Sequence, residues 1–269
     1  MLLMALVATL VATPGRADTP LRIVSTNLCA DQLALSLAPG RVVSVSWVAG
    51  DDTISTVALE ARNLARNDAE LEEILALAPD LVLTDAFAGE ALAQRLEALS
   101  IRVHRVGWAG SVSAAIAIMR EAARALNAVP QGEGLIAAMA AKLAMAQAAG
   151  SMGPRTRVLL LRPAGHTAAG DTLAAELMAL VGLSDMALEA GLPVGREISL
   201  EEIVMLAPPV LLLDAPRAQG ESRAETLLAH PALERMAQKP VLHLIPTRLW
   251  ICPGPWLGDA ALALSDARR

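Results

Sequence analysis

The chain has 269 residues, is 54% apolar and carries a formal net charge of -6. With no basic cluster anywhere along it, that balance excludes a nucleic-acid-binding surface. Length alone allows one large or two modest domains, and the apolar fraction supplies two cores of about 110 residues each.

Met1 to Val11 is almost wholly apolar and leads through Ala-Thr-Pro-Gly-Arg-Ala to Asp18. The run is too short to span a bilayer and ends on small residues, so residues 1–17 read as an export signal cleaved near Ala17. It lacks the Lys or Arg that normally precedes such a run, and a buried N-terminal helix or strand is the alternative. Ser-Thr-Asn-Leu ahead of Cys29 is not an apolar run ending in small residues, so Cys29 is not a lipid-attachment site. A soluble exported protein is expected.

An N-terminal lobe spans residues 18–129. A first strand at 21–25 leads through Thr26-Asn27-Leu28-Cys29 into a helix at 30–37 that Pro39-Gly40 ends. A strand at 42–45 is followed by Ser46-Trp47 and a polar loop through Asp51 and Asp52. Further strands are expected at 81–83 and 102–106, with helices at 89–99 and from Ser111 or Ser113 through Leu126. Residues 133–149, rich in alanine and methionine and free of proline, predict a long helix within a linking segment 130–152, ended by Gly150 and Gly153-Pro154, with a further core helix of the first lobe as the alternative. A C-terminal lobe, 153–269, restarts with a strand at 157–161 and a loop through His166. Helices at 172–181 and 224–228, a strand at 241–245, a loop at 246–255 and a last helix at 257–267 complete it.

Two copies of one element sit in equivalent places. Residues 71–85 read LEEILALAPDLVLTD and residues 200–214 read LEEIVMLAPPVLLLD, identical at nine of fifteen positions. Each opens with two glutamates, suited to the first turn of a helix, where free N–H groups and the helix dipole favour carboxylates. Ser199 with Glu202 has capping-box spacing, and Asn67 with Glu70 offers the same in the first copy. Pro79 and Pro208 stop the helices, because proline disfavours the helical conformation of the residue before it. The apolar runs that follow lack polar alternation and predict strands buried on both faces of a parallel sheet. The fold class is therefore α/β, with two similar lobes, each a doubly wound, mainly parallel sheet, joined by one long rigid helix.

Aromatic residues are scarce, with no tyrosine, one phenylalanine and four tryptophans. Trp47, Phe87, Trp108, Trp250 and Trp256 all lie just beyond predicted strand C-termini, the edge where open α/β sheets bind ligands. They are candidate walls of a cleft for a large, flat ligand; tryptophans closing the tops of the cores are the alternative. Asn27 and Cys29 share that edge, as do Arg105, Arg162, His166, Arg196, Arg248 and Cys252, and arginines there suit carboxylate or phosphate groups. For the two cysteines, free thiols or ligand contacts facing the cleft, a bridge across it, and separate burial are all open. A bridge would lock lobes that must part for ligand entry.

No Gly-x-Ser-x-Gly elbow, P-loop, dinucleotide fingerprint or His-Glu-x-x-His occurs. His104 and His243 fall in predicted strands and His230-Pro231 reads as a turn, which leaves only His166 in a plausible site loop. A binding protein without catalytic residues, resident cofactor or metal site is expected.

The segments RIVSTNLCADQLALSLAPGRVVSVSW, LEEILALAPDLVL and EISLEEIVML, with the long central helix, resemble the periplasmic substrate-binding proteins of ABC importers for cobalamin, haem and ferric siderophores. The resemblance covers nearly the whole chain after residue 17. It implies a monomer that takes a metal chelate between its lobes and delivers it to a permease dimer in the inner membrane. In that family one glutamate per lobe, in the first turn of the repeated helix, docks permease arginines, which by motif position are Glu72 and Glu201. A bare metal-ion carrier and a chelatase-like enzyme are the alternatives.

Overall fold

A computed structural model of the protein describes residues 21–162, 165–167, 170, 172–214, 230–231, 235–236 and 239–268. The expected export signal and the expected helix at 224–228 lie outside the described residues.

The first sheet has five parallel strands, β1 (Ile23–Ser25), β2 (Val42–Ser46), β3 (Ala65–Asn67), β4 (Leu81–Asp85) and β5 (Arg102–Val106), in the order β3-β2-β1-β4-β5. The second has four, β6 (Thr156–Leu161), β7 (Leu183–Asp185), β8 (Val210–Asp214) and β9 (Val241–Ile245), in the order β7-β6-β8-β9, also parallel. The unbroken apolar runs are central strands; Ile23, Val24, Leu159, Leu160, Leu211 and Leu212 are fully buried. In both sheets the chain runs first to one side of the lobe's opening strand and then to the other. That reversal puts a switch point between β1 and β4 and another between β6 and β8.

Helices cover the sheets: α1 (Leu28–Leu37), α2 (Ala58–Ala61), α3 (Leu71–Ala76), α4 (Glu90–Ala98) and α5 (Val112–Ala125) in the first lobe. The long α6 (Val129–Gly150) follows, then α7 (Leu173–Leu180), α8 (Met186–Glu189), α9 (Leu200–Leu206) and α10 (Leu257–Asp266). Helix α6 begins earlier than the proline-free stretch, because Pro130 sits in its first turn, where a missing N–H costs nothing. A single hydrophobic cluster extends from Leu33 and Met119 through Ile136 and Met139 of α6 to Leu160, Leu177 and Leu257. The two lobes thus share one core with α6 inside it. Glycine admits close approaches around α6: a Cβ on Gly132 would lie 2.6 Å from the Ala123 Cβ, and one on Gly258 would lie 3.1 Å from the Met139 carbonyl.

The duplicated element forms as expected, with differences in detail. Both helices end in an alanine at positive φ, Ala78 at 46° and Ala207 at 45°, each directly before its proline. The Ser199–Glu202 capping box is present. The matching cap on Asn67 is not. Asn67 instead ends β3, and its buried Nδ2 donates to Ser25 O, Ser44 Oγ and Val45 O at 2.9, 2.8 and 3.1 Å. The Asn67 Oδ1, the atom that would cap a helix, accepts from Ala69 N at 3.2 Å instead. Two short edge strands, β3 and β7, had no apolar run to announce them.

Asp31 on α1 is fully buried and accepts hydrogen bonds from Ser46 N, at 3.1 Å, and Ser46 Oγ. Burial pushes its carboxyl up to about 6, the hydrogen bonds opposing. Because the folded protein holds this proton more tightly than the unfolded chain, the group's contribution to stability is present at low pH and lost as pH rises through about 6. Denaturant unfolding should therefore show about 1 kcal/mol more stability from Asp31 at pH 5 than at pH 7. Asp31→Asn should remove that part of the slope.

Candidate ligand cleft

Three contacts bring the C-terminal edges of the two sheets face to face. Cys29, just past β1, is disulfide-bonded to Cys252, past β9. Arg248, also past β9, donates from Nη1 to the Asp52 carbonyl beyond β2 at 3.3 Å. Val112 N, past β5, donates to Glu176 Oε2 on α7 at 2.7 Å. Both switch points therefore border the same interlobe space.

The disulfide corrects the expectation of free cysteines contacting a ligand. The two Cα atoms are 5.2 Å apart, Cys252 is 1% exposed within the shared core, and Cys29 packs against it. Trp256 Nε1 donates to the Cys252 carbonyl at 2.7 Å. A bridge across the cleft would lock the lobes, but this one is buried beside Trp256. It sits in the core that contains α6.

The five aromatics divide by lobe. Trp47, Phe87 and Trp108, past β2, β4 and β5, are 65%, 75% and 67% exposed. Trp250 and Trp256, past β9, are interior at 4% and 5%, so the last loop contributes core tryptophans rather than open walls. Their indole N–H groups are both satisfied internally, Trp250 Nε1 by Asp214 Oδ1 at 2.7 Å. Asp214, last residue of the second repeat, also accepts from Thr247 Oγ1 at 3.0 Å. Burial raises its carboxyl above the usual range, against the opposing pull of the Trp250 hydrogen bond and the Arg162 charge. Its counterpart Asp85 accepts from the Phe87 and Ala88 amides at 2.7 and 2.6 Å. Each copy thus ends in a carboxylate that positions an aromatic-bearing loop.

Several other candidates are occupied locally. Asn27 caps α1, its Oδ1 accepting from Ala30 N at 2.8 Å. Arg196 is paired with Glu202 at 2.6 Å, and Arg105 with Glu90 and Glu97 at 2.7 and 2.6 Å. Arg248 lines a groove of about 540 Å3 with Asp52, Thr53, Thr56, Leu59 and Pro246. His166 Nδ1 lies 2.9 Å from the Gly195 carbonyl. A carbonyl only accepts, so in the neutral ring Nδ1 carries the proton and Nε2 presents a lone pair. His243 Nε2 meets the Ala263 carbonyl at 3.1 Å and burial lowers the pKa of His104, both within the framework. Among the described residues no three His, Cys, Asp or Glu side chains converge to hold a metal ion.

The paired glutamates behave differently. Glu73 accepts from Asp68 N at 3.0 Å, and Glu202 closes the capping box. Glu72 and Glu201 are exposed and make no hydrogen bond or ion pair among the described residues. Arg162, Asp214 and Thr247 complete the second lobe's edge, and the sequence flagged only the first by its place after a strand.

Residues 23–237 match a family described as periplasmic binding protein, and the chain belongs to that family. It is a family of binding proteins. Among solved structures, the periplasmic heme-binding protein RhuT from Roseiflexus sp. RS-1, in apo form, is 25% identical with a TM-score of 0.75, covering 93% of this chain and 100% of that one. The periplasmic heme-binding protein HutB of Vibrio cholerae is 19% identical with a TM-score of 0.75, covering 92% and 98%. The periplasmic vitamin B12-binding protein BtuF of Vibrio cholerae shares the fold at 18% identity and a TM-score of 0.68, covering 92% and 96%. No curated protein sequence matches the chain. Among the described residues no helix is long and apolar enough to cross a membrane.

The disulfide joins residues 223 apart, so it removes much of the freedom of the unfolded chain. Replacing both cysteines by serine should lower the unfolding free energy by about 3–5 kcal/mol. Reductant should do the same to the native sequence and nothing to the double variant.

Proposed function

We propose that this chain is a periplasmic substrate-binding protein that captures a metal-chelate cofactor (a corrinoid, haem or ferric siderophore) between its lobes and delivers it to an ABC importer. The observation that carries this reading is the asymmetry of the two facing edges. One lobe offers three exposed aromatic side chains, Trp47, Phe87 and Trp108, and the other offers His166 with its Nε2 lone pair. Apolar rings left in water suit a large flat ligand, and an imidazole whose other nitrogen is fixed by a carbonyl suits the open position of a chelated metal. The solved relatives named above, which bind haem or vitamin B12 by description, support the same ligand class. A chelate that brings its own ligands also fits a cleft without a converging metal-ligand set among the described residues.

On this reading residues 18–129 and 153–269 act as the two jaws of a monomer and residues 130–152 as the link between them. Glu72 and Glu201, unoccupied in local capping and equivalent by duplication, fit basic residues on a two-fold permease, one per lobe. Exposed ion pairs of this kind contribute about 0–1 kcal/mol each, so their main effect is on orientation and association rate.

Tryptophan fluorescence titrated with cobalamin, haemin, ferric siderophores and zinc tests the ligand class. Saturable quenching at one chelate per protein is expected, and Trp47→Ala or Trp108→Ala should weaken it about tenfold, about 1.4 kcal/mol. A tight response to zinc alone, or turnover of a chelate, would sink the proposal. For the partner, Glu72→Lys with Glu201→Lys should impair uptake without changing ligand affinity in solution; normal transport by that double variant would reduce both residues to helix-terminal charges.

A further inference from the structure

The Arg162 side chain is unusual among the arginines at this edge. Arg196 and Arg105 are ion-paired, and Arg248 donates to a carbonyl. Arg162 packs its guanidinium over the Trp250 ring, 5.5 Å from the centroid, and its buried Nε has no hydrogen-bond partner. No side-chain N–H of Arg162 has an acceptor among the described residues.

The natural acceptor nearby is already committed. Asp214 takes hydrogen bonds from Trp250 Nε1 and Thr247 Oγ1 on one oxygen, Oδ1, and makes no ion pair with Arg162. Asp214 therefore holds the indole, the indole supports the face of the guanidinium, and the guanidinium N–H groups are left without an acceptor among the described residues. The backbone fixes the same corner: Arg162 N donates to His166 O at 2.8 Å, and Gly165 N donates to Arg162 O at 2.9 Å. These residues lie at or just past the C-terminal ends of β6, β8 and β9, on the edge that faces the first lobe.

We infer that Arg162, stacked on Trp250 beside His166, recognises a carboxylate of the ligand, so that the cleft selects chelates with free peripheral carboxylates over amidated or esterified ones. The inference rests on the metal-chelate reading and narrows it. A buried, unsatisfied guanidinium N–H is costly, and a bidentate carboxylate is the partner its planar fork fits best. Stacking on the indole orders the side chain before the ligand arrives, which lowers the entropy lost on binding. Lysine, a point charge without a stacking face, does not replace it.

Haemin and its dimethyl ester differ only in the two carboxylates, and affinity for each, with cobalamin as a third probe, tests the inference. The native sequence should bind haemin at least about tenfold more tightly than the ester. Arg162→Gln should shrink that ratio to about threefold or less and Arg162→Lys should leave it intermediate, with thermal melting confirming that each variant is folded. If the glutamine variant fails to fold, the native ratio and the lysine variant carry the test. Equal binding of haemin and ester by the native protein, or an undiminished ratio in a folded Arg162→Gln, overturns the inference. Tight cobalamin binding with no response to haemin overturns it while the metal-chelate reading stands; no response to any chelate overturns both.

Discussion

The shared core around α6, stapled by Cys29 and Cys252, is the constraint on which the rest of this molecule depends. Each sheet has a small cluster of its own on one face, but on the other α6 packs against α5 of one lobe and α10 of the other, with Gly132 and Gly258 admitting the close approaches. With that core filled, the strand C-termini of the two sheets are obliged to face each other. The disulfide, the Glu176–Val112 hydrogen bond and the Arg248–Asp52 contact are three consequences of one arrangement. The space between the edges is where an open α/β sheet exposes loops, free helix N-termini and adaptable side chains, and here two such edges are pooled.

Duplication supplied the parts and divergence assigned them. Asp85 and Asp214 close equivalent strands, yet one holds the backbone of the Phe87 loop while the other holds an indole and a threonine hydroxyl across to the next loop. Lobe one ends with exposed rings, and lobe two with buried rings and a cation resting on one of them. An apolar wall opposite a polar, basic one suits a ligand that is itself flat and apolar on its faces but charged at its periphery. The repeated helices diverge less. In both copies one glutamate of the pair serves the helix start and the other is left to solvent.

Much of the architecture was legible because the physics that fixes it is local. Residues 102–106 and 241–245 are strands with the bounds the sequence suggested, and the capping box at Ser199 depends on four consecutive residues. The edge strands β3 and β7 were not legible: Ala-Arg-Asn and Leu-Ser-Asp carry no apolar signal, and they extend only because a neighbouring strand offers its free edge. The place of the aromatics after strands was readable, but their burial was not. Trp250 and Trp256 are interior because α10 folds back onto α6, a contact between segments distant in sequence. The cysteine pairing had the same obstacle, since its partners are 223 residues apart. Arg162 was visible as an edge residue; that its N–H groups would lack acceptors depended on where Asp214 turned its carboxylate.

The proposed occupant of the facing edges is one metal chelate. The most direct test is the absorption spectrum and metal content of the protein isolated from cells supplied with haem, corrinoid and ferric siderophore. A visible band belonging to one of these chelates is expected, with metal and protein in equal amounts and the band lost on denaturation. Colourless protein carrying a bare divalent metal in the same proportion would contradict it.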